Sequence, residues 1–160
     1  MEAMEKLFQR LDDILFCIKD REGCYLSAND AFLRRARVED PRDLIGRTAK
    51  EFFPPLLAAG YEQQDTGVTL RGEETRDRLE MITNSDGSVG WYLSDKIPIW
   101  NRDGDVIGIA GMSRDLRSSA DNDPRYAKLA SVIDHMRKYY DEPLRIGQLV
   151  AQTDLSLSSF

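Results

Sequence analysis

Three alternating apolar stretches separated by Asp-Gly pairs constrain this chain more than any other feature. In residues 74–84, Leu79, Met81 and Thr83 share one parity, and Asp86-Gly87 follows. In the next stretch Trp91, Leu93, Asp95, Ile97 and Ile99 share a parity, Asp103-Gly104 follows, and residues 106–113 form a glycine-spaced apolar run. Alternation with period two is the mark of a half-buried strand, and Asp-Gly between two such runs marks a tight turn. Three consecutive strands are therefore expected after Gly72.

The preceding part mixes both periods. Met4, Leu7, Phe8, Leu11, Ile14 and Leu15 recur at three- and four-residue spacings, so the spacing predicts an amphipathic helix over residues 4–15. Residues 15–19 and 24–27 read as two short strands joined by Asp20-Arg21-Glu22-Gly23. Asn29-Asp30 caps a short helix over 31–36, a helical turn at 49–53 is stopped by Pro54-Pro55, and a helix runs from Leu56 to about Leu70. Strands flanking a helical insert give an α+β domain.

One boundary stands out. Residues 118–124, Ser-Ser-Ala-Asp-Asn-Asp-Pro, have linker composition, and only helix is written beyond them. The 160 residues carry 22 Lys+Arg against 28 Asp+Glu, net −6, so there is no basic footprint for nucleic acid. Any DNA-binding role must rest on motif. No apolar run approaches the roughly 20 residues of a membrane span, and the charged start lacks the features of a secretion or transit segment. Cys17 and Cys24 make no disulfide framework, and free thiols in a reducing cytoplasm are expected.

Residues 7–117 resemble a PAS domain. The carriers are the Asp20–Gly23 turn, Asn29 with Phe32, Leu44-Ile45-Gly46-Arg47, and Trp91 opening a strand that reaches Ile97-Pro98-Ile99. Asp103-Gly104-Asp105-Val106-Ile107-Gly108 and the closing Arg114-Asp115-Leu116 complete the set. Where the family ends in Asp-Ile-Thr, this chain has Asp115-Leu116-Arg117. The resemblance implies a five-stranded antiparallel sheet with flanking short helices over residues 1–118, with the amphipathic helix at 1–13.

Residues 126–160, after a linker at 119–125, are similar to the start of an AraC-type helix-turn-helix domain. Leu129, Val132, Ile133 and Met136 line one face of a helix ending near Tyr140; Asp141–Leu144 turns; Ile146, Leu149, Val150 and Ala151 form a second short helix. Ser156 would cap a recognition helix opening with Ser156, Leu157, Ser158 and Ser159, where the sequence stops. A partial, all-α helix-turn-helix is the expectation, as the opening of a longer regulator's DNA-binding domain. The fragment itself is then a poor DNA binder, and DNA is a partner of the full-length protein.

PAS domains sense small molecules, light, redox state or oxygen. The resemblance disfavours a photochemical flavin, because residues 47–60 contain no Cys, and haem, because residues 1–118 contain no His. No cofactor is expected, and the ligand is unknown. Strand parity points Phe16, Ile18, Leu79, Met81, Leu93, Ile97 and Ile109 towards a cavity between sheet and helices, joined by Phe32, Phe52 and Tyr61. The same stripes also fit a plain packed core. Asp95 shares the inward parity and either binds a polar group or sits at an exposed strand end.

No acid–base pair, nucleophile triad or phosphate-cradling loop is present, so no enzymatic activity is expected. The single histidine, His135, is similar in placement to the phospho-acceptor of sensor kinases, yet Met-Arg-Lys-Tyr-Tyr follows where Glu-Leu-Arg-Thr-Pro is wanted; a surface histidine is the simpler reading. The expected function is the sensing module of a one-component, homodimeric transcription regulator. The amphipathic helix and the sheet are the expected dimer surface, though that helix could equally cover its own sheet. A kinase-linked sensor and a ligand-free interaction module are the alternatives.

Overall fold

A computed structural model describes residues 6–84, 86–117 and 124–139. The chain divides into two compact units, Met1–Asp115 and Leu116–Phe160. The first is a five-stranded antiparallel sheet with helices on one face: β1 (Ile14–Asp20), β2 (Tyr25–Ala28), α1 (Asp30–Ala36), two 3₁₀ turns (Pro41–Asp43 and Ala49–Glu51), α2 (Pro55–Arg71), β3 (Thr75–Thr83), β4 (Val89–Trp100) and β5 (Val106–Asp115). The sheet order is β2-β1-β5-β4-β3, so the first and last strands of the unit meet at its centre. That closure carries Lys19 of β1 opposite Ile109 of β5, next to the β4 pairing of Ile97 with Ala110.

Local chemistry sets the element boundaries. Asn29 caps α1 by accepting from Phe32 N at 3.0 Å, and α1 ends at Arg37 in the left-handed region. Pro54-Pro55 opens α2, and Gly72, at φ 65°, closes it by donating to the Val68 carbonyl. The Trp100 ring lies where a Cβ on Gly72 would stand, so close approach as well as backbone conformation requires glycine there. The outer edge of β2 is covered by the following loop: Tyr25 N donates to Arg47 O at 2.9 Å and Gly46 N to Tyr25 O at 2.8 Å.

The beginning of the chain departs from the helix expected over residues 4–15. Helix is described at 6–8, residues 9–10 turn, and β1 begins at Ile14. The physical reason is Asn29, buried to 1% exposure. Its Nδ2 donates to the carbonyls of Phe8 (3.0 Å), Leu11 (3.3 Å) and Ile14 (2.7 Å), while its Oδ1 also accepts from Phe16 N at 3.0 Å. These contacts draw carbonyls out of helical register and deliver the chain to the sheet, so tertiary structure overrides the three–four spacing.

The core on the helical side is Leu15, Tyr25, Phe32, Leu33, Leu44, Phe53, Ile82 and Tyr92 with small Ala31, Ala36, Ala49 and Ala58. In the second unit, α3 (Pro124–Lys138) buries Val132 and Ile133, with Leu129 half-buried and Met136 and His135 exposed. Among the described residues no helix is long and apolar enough to cross a membrane.

Candidate functional site

The site is a cavity between the sheet's inner face and helices α1 and α2. It offers about 60 Å³ to water-sized spheres, room for roughly four or five waters. Its walls follow from strand parity. Leu15, Cys17 and Lys19 face it from β1, Glu80 and Ile82 from β3, Lys96 from β4, and Ile109, Gly111 and Ser113 from β5. The helical side supplies Phe32 and Arg35, three apart on α1, Phe53 just before Pro54, and Tyr61 and Asp65, four apart on α2.

A charged network forms the floor. Lys19 Nζ donates to Asp65 Oδ2 at 2.6 Å and Lys96 Nζ to Asp65 Oδ1 at 2.7 Å, with side-chain exposures of 8%, 7% and 11% for Lys19, Asp65 and Lys96. Burial opposes ionisation of Asp65, but the Lys96 and Lys19 ammonium groups outweigh it and hold the carboxyl below its ordinary range. Lys19 also lies over the Tyr25 ring, 4.7 Å from its centroid. Burial pushes the Cys17 thiol up to about 11, so it is a neutral wall group. Burial likewise raises the phenols of Tyr25 and Tyr61 well above their usual value, and both stay protonated donors.

Aromatic rings make the other wall. Tyr25 and Phe32 stand 5.2 Å apart, Phe32 meets Phe53 edge-on at 6.1 Å, and Phe53 meets Tyr61 edge-on at 5.6 Å. Tyr61 Oη donates to Met81 O at 2.6 Å, fixing α2 against β3. Arg35 hydrogen-bonds Asn84 Oδ1 and lies 4.9 Å from the Tyr92 ring centroid. The arrangement suits a small, flat molecule held by polar contacts at its edges. Among the described residues no group of three or more His, Cys, Asp or Glu is placed to hold a metal ion.

Of the residues expected from sequence, Phe32, Tyr61 and Ile109 line this cavity, whereas Phe16, Ile18, Leu79, Met81, Leu93 and Ile97 do not. Phe16 is buried under Phe8, its ring stacked at 4.1 Å, while Met81 is 41% and Ile97 47% exposed. Phe52 packs on the core beside Tyr25, and its neighbour Phe53 takes the cavity position. The expected parity is thus inverted on β1, β3 and β4. Those strands carry charged groups inward, so a rule of apolar-inside selects the wrong face, and β1 buries apolar residues on both faces. Asp95 borders the cavity with its carboxylate engaged elsewhere: Oδ1 accepts from Asp77 N at 2.7 Å and Oδ2 lies 3.8 Å from Arg114. The charged network itself was missed, because its members are 46 and 31 residues apart and no spacing rule joins them. Ser156, Leu157, Ser158 and Ser159 lie outside the described residues.

The profile of a family described as PAS fold matches residues 8–121. No curated protein sequence matches the chain. Among solved structures, the Vibrio cholerae VqmA dimer, described with LuxR-type receptors and in the absence of target DNA, is 26% identical over 72% of this chain and 51% of that one, with a TM-score of 0.61. VqmA bound to DPO is 26% identical over 72% of this chain and 57% of that one, TM-score 0.61. The PAS domain from Bordetella pertussis BvgS shares the fold at 24% identity, covering 75% of this chain and 93% of that one, TM-score 0.59. The chain thus spans 51% to 57% of the length of these VqmA chains.

Proposed function

The chain belongs to the PAS fold family, and from that premise we propose that residues 1–118 are the small-molecule sensing module of a one-component transcription regulator acting in the cytoplasm without enzymatic activity. Residues 119–125 are its linker, and residues 126–160 open an AraC-type helix-turn-helix that binds DNA in the full-length protein. The observation that carries the sensing role is the cavity with the buried Lys19–Asp65–Lys96 network on one wall and aromatic rings on the other. Ordinary core packing does not gather three charged groups around free space. VqmA, similar in fold and at 26% identity, is described as bound to DPO and in relation to target DNA, which supports pairing a ligand-holding domain of this kind with a DNA-binding head.

Signalling then works through population shift. A ligand in the cavity touches α2 through Tyr61 and Asp65 and the central strands through Lys19 and Lys96, and it favours whichever arrangement of sheet and exit segment it binds better. Met81 and Ile97 are half-exposed apolar groups on the sheet's outer face, and with the first helix they form the homodimer surface of this reading. The test is native mass spectrometry of the purified protein together with thermal-shift screening against small metabolites, using wild type and Lys96→Met. A retained or stabilising small molecule whose effect is lost in Lys96→Met is expected. A screen in which nothing shifts the wild type, or in which the variant responds equally, overturns the sensing role.

A further inference from the structure

We propose that Glu80 is the specificity-determining group of the cavity and that it selects ligands presenting a hydrogen-bond donor. The inference rests on the ligand-sensing reading above. Glu80 lies on β3 opposite Tyr92, is 7% exposed, and faces the same space as the lysine–aspartate network. Its Oε1 is buried and accepts no hydrogen bond from any described residue. The other charged groups around the cavity are engaged: Lys19 and Lys96 with Asp65, Arg35 with Asn84, and Asp95 with the backbone of Asp77.

A buried carboxylate oxygen without a donor is costly, and more so than a neutral acceptor. A carboxyl oxygen that carries no hydrogen only accepts. A methyl or carbonyl group placed against Glu80 Oε1 leaves that cost standing. An N–H or O–H donor removes it. Tyr25, Phe32, Phe53 and Tyr61 shape the rest of the space for a flat apolar body. The ligand class is therefore a small flat molecule with a donor on the edge that meets Glu80. Selectivity of this kind is strong because a site built around a buried polar group penalises the analogue that leaves it unpaired.

The experiment uses single-ring fragments in shape-matched pairs, one member carrying NH₂ and the other CH₃, with 2-aminopyrimidine and 2-methylpyrimidine among them. Affinities are read by protein NMR titration on wild type, Glu80→Gln and Glu80→Met. In wild type the amino member of each binding pair is expected to be tighter by about tenfold or more. The preference should shrink in Glu80→Gln and vanish in Glu80→Met. Because Oε1 of Glu80 accepts no hydrogen bond from any described residue, Glu80→Met should melt at or above the wild-type temperature. Pairs that bind wild type equally, or a preference that survives in Glu80→Met, overturn the role of Glu80 and leave the sensing reading standing. A drop of several degrees in Glu80→Met also overturns it, since Glu80 then has a structural partner. If no fragment of either kind binds, the sensing reading fails and this inference fails with it.

Discussion

Replacing Asp65 with Asn tests the network on which the site is built. Its two carboxylate oxygens receive Lys19 at 2.6 Å and Lys96 at 2.7 Å, and neither lysine has more than 11% of its side chain exposed. Removing one partner of a buried ion pair costs about 3–5 kcal/mol, because the remaining charge stays desolvated. Here one carboxylate serves two ammonium groups, while the Asn oxygen still accepts from one of them. The expected loss therefore stays in that range, about 3–5 kcal/mol, a large part of the ~5–15 kcal/mol that holds a domain together. Urea unfolding followed by fluorescence of Trp91 and Trp100, both on β4, should show the midpoint falling by about 2 M at a typical slope. The companion variant Lys19→Met/Asp65→Leu/Lys96→Met removes all three charges and should match wild type or exceed it. A pH series supplies the third arm. The folded carboxyl is held below its ordinary value, so its contribution is complete above the unfolded value of about 3.9 and is lost as pH falls through the folded value. Wild type should lose this stability below about pH 4, and Asp65→Asn should lack that part of the slope. A cost under about 1 kcal/mol for Asp65→Asn would mean that the lysines are solvated, as would a triple variant no better than the single one.

Other outcomes follow from the packing around the site. Asn29→Ala strands the Phe16 and Phe32 N–H groups and three carbonyls, so it should cost about 3 kcal/mol or more by urea titration; a loss below 1 kcal/mol would show that water replaces the side chain. Gly108→Ala places a Cβ against the Lys19 carbonyl oxygen and should cost about 1–3 kcal/mol by forcing β1 and β5 apart, with an unchanged melting temperature counting against that close approach. With Cys24 replaced by Ser, Cys17 should resist maleimide at pH 7.5, because its thiol is pushed up to about 11 by burial; labelling as fast as a free thiol would contradict its placement. Met81→Glu with Ile97→Glu should turn the proposed homodimer into a monomer by light scattering, and a dimer that survives both changes would move the interface elsewhere.

Some of this protein was readable along the chain. Asp86-Gly87 and Asp103-Gly104 mark their turns, Asn29 marks the start of α1, and Pro54-Pro55 and Gly72 bracket α2, because each is a local demand of the backbone that the residue itself meets. From those signals the order of elements follows, and with it the five-stranded antiparallel sheet. The end of the first helix was not readable, since the carbonyls of Phe8, Leu11 and Ile14 are claimed by an asparagine 15 to 21 residues downstream. The inner face was misread for a related reason. Hydrophobic alternation reports which side of a strand avoids water only when the other side meets it, whereas β1 is covered on both faces and turns Lys19 inward. Lys19, Asp65, Glu80 and Lys96 look like solvated surface groups in sequence, and only the closure of β1 onto β5 beneath α2 makes them neighbours around one cavity. Sequence fixes where a chain turns because turning is local; which charges share a cavity is decided by contacts between distant segments, and tertiary structure alone creates those.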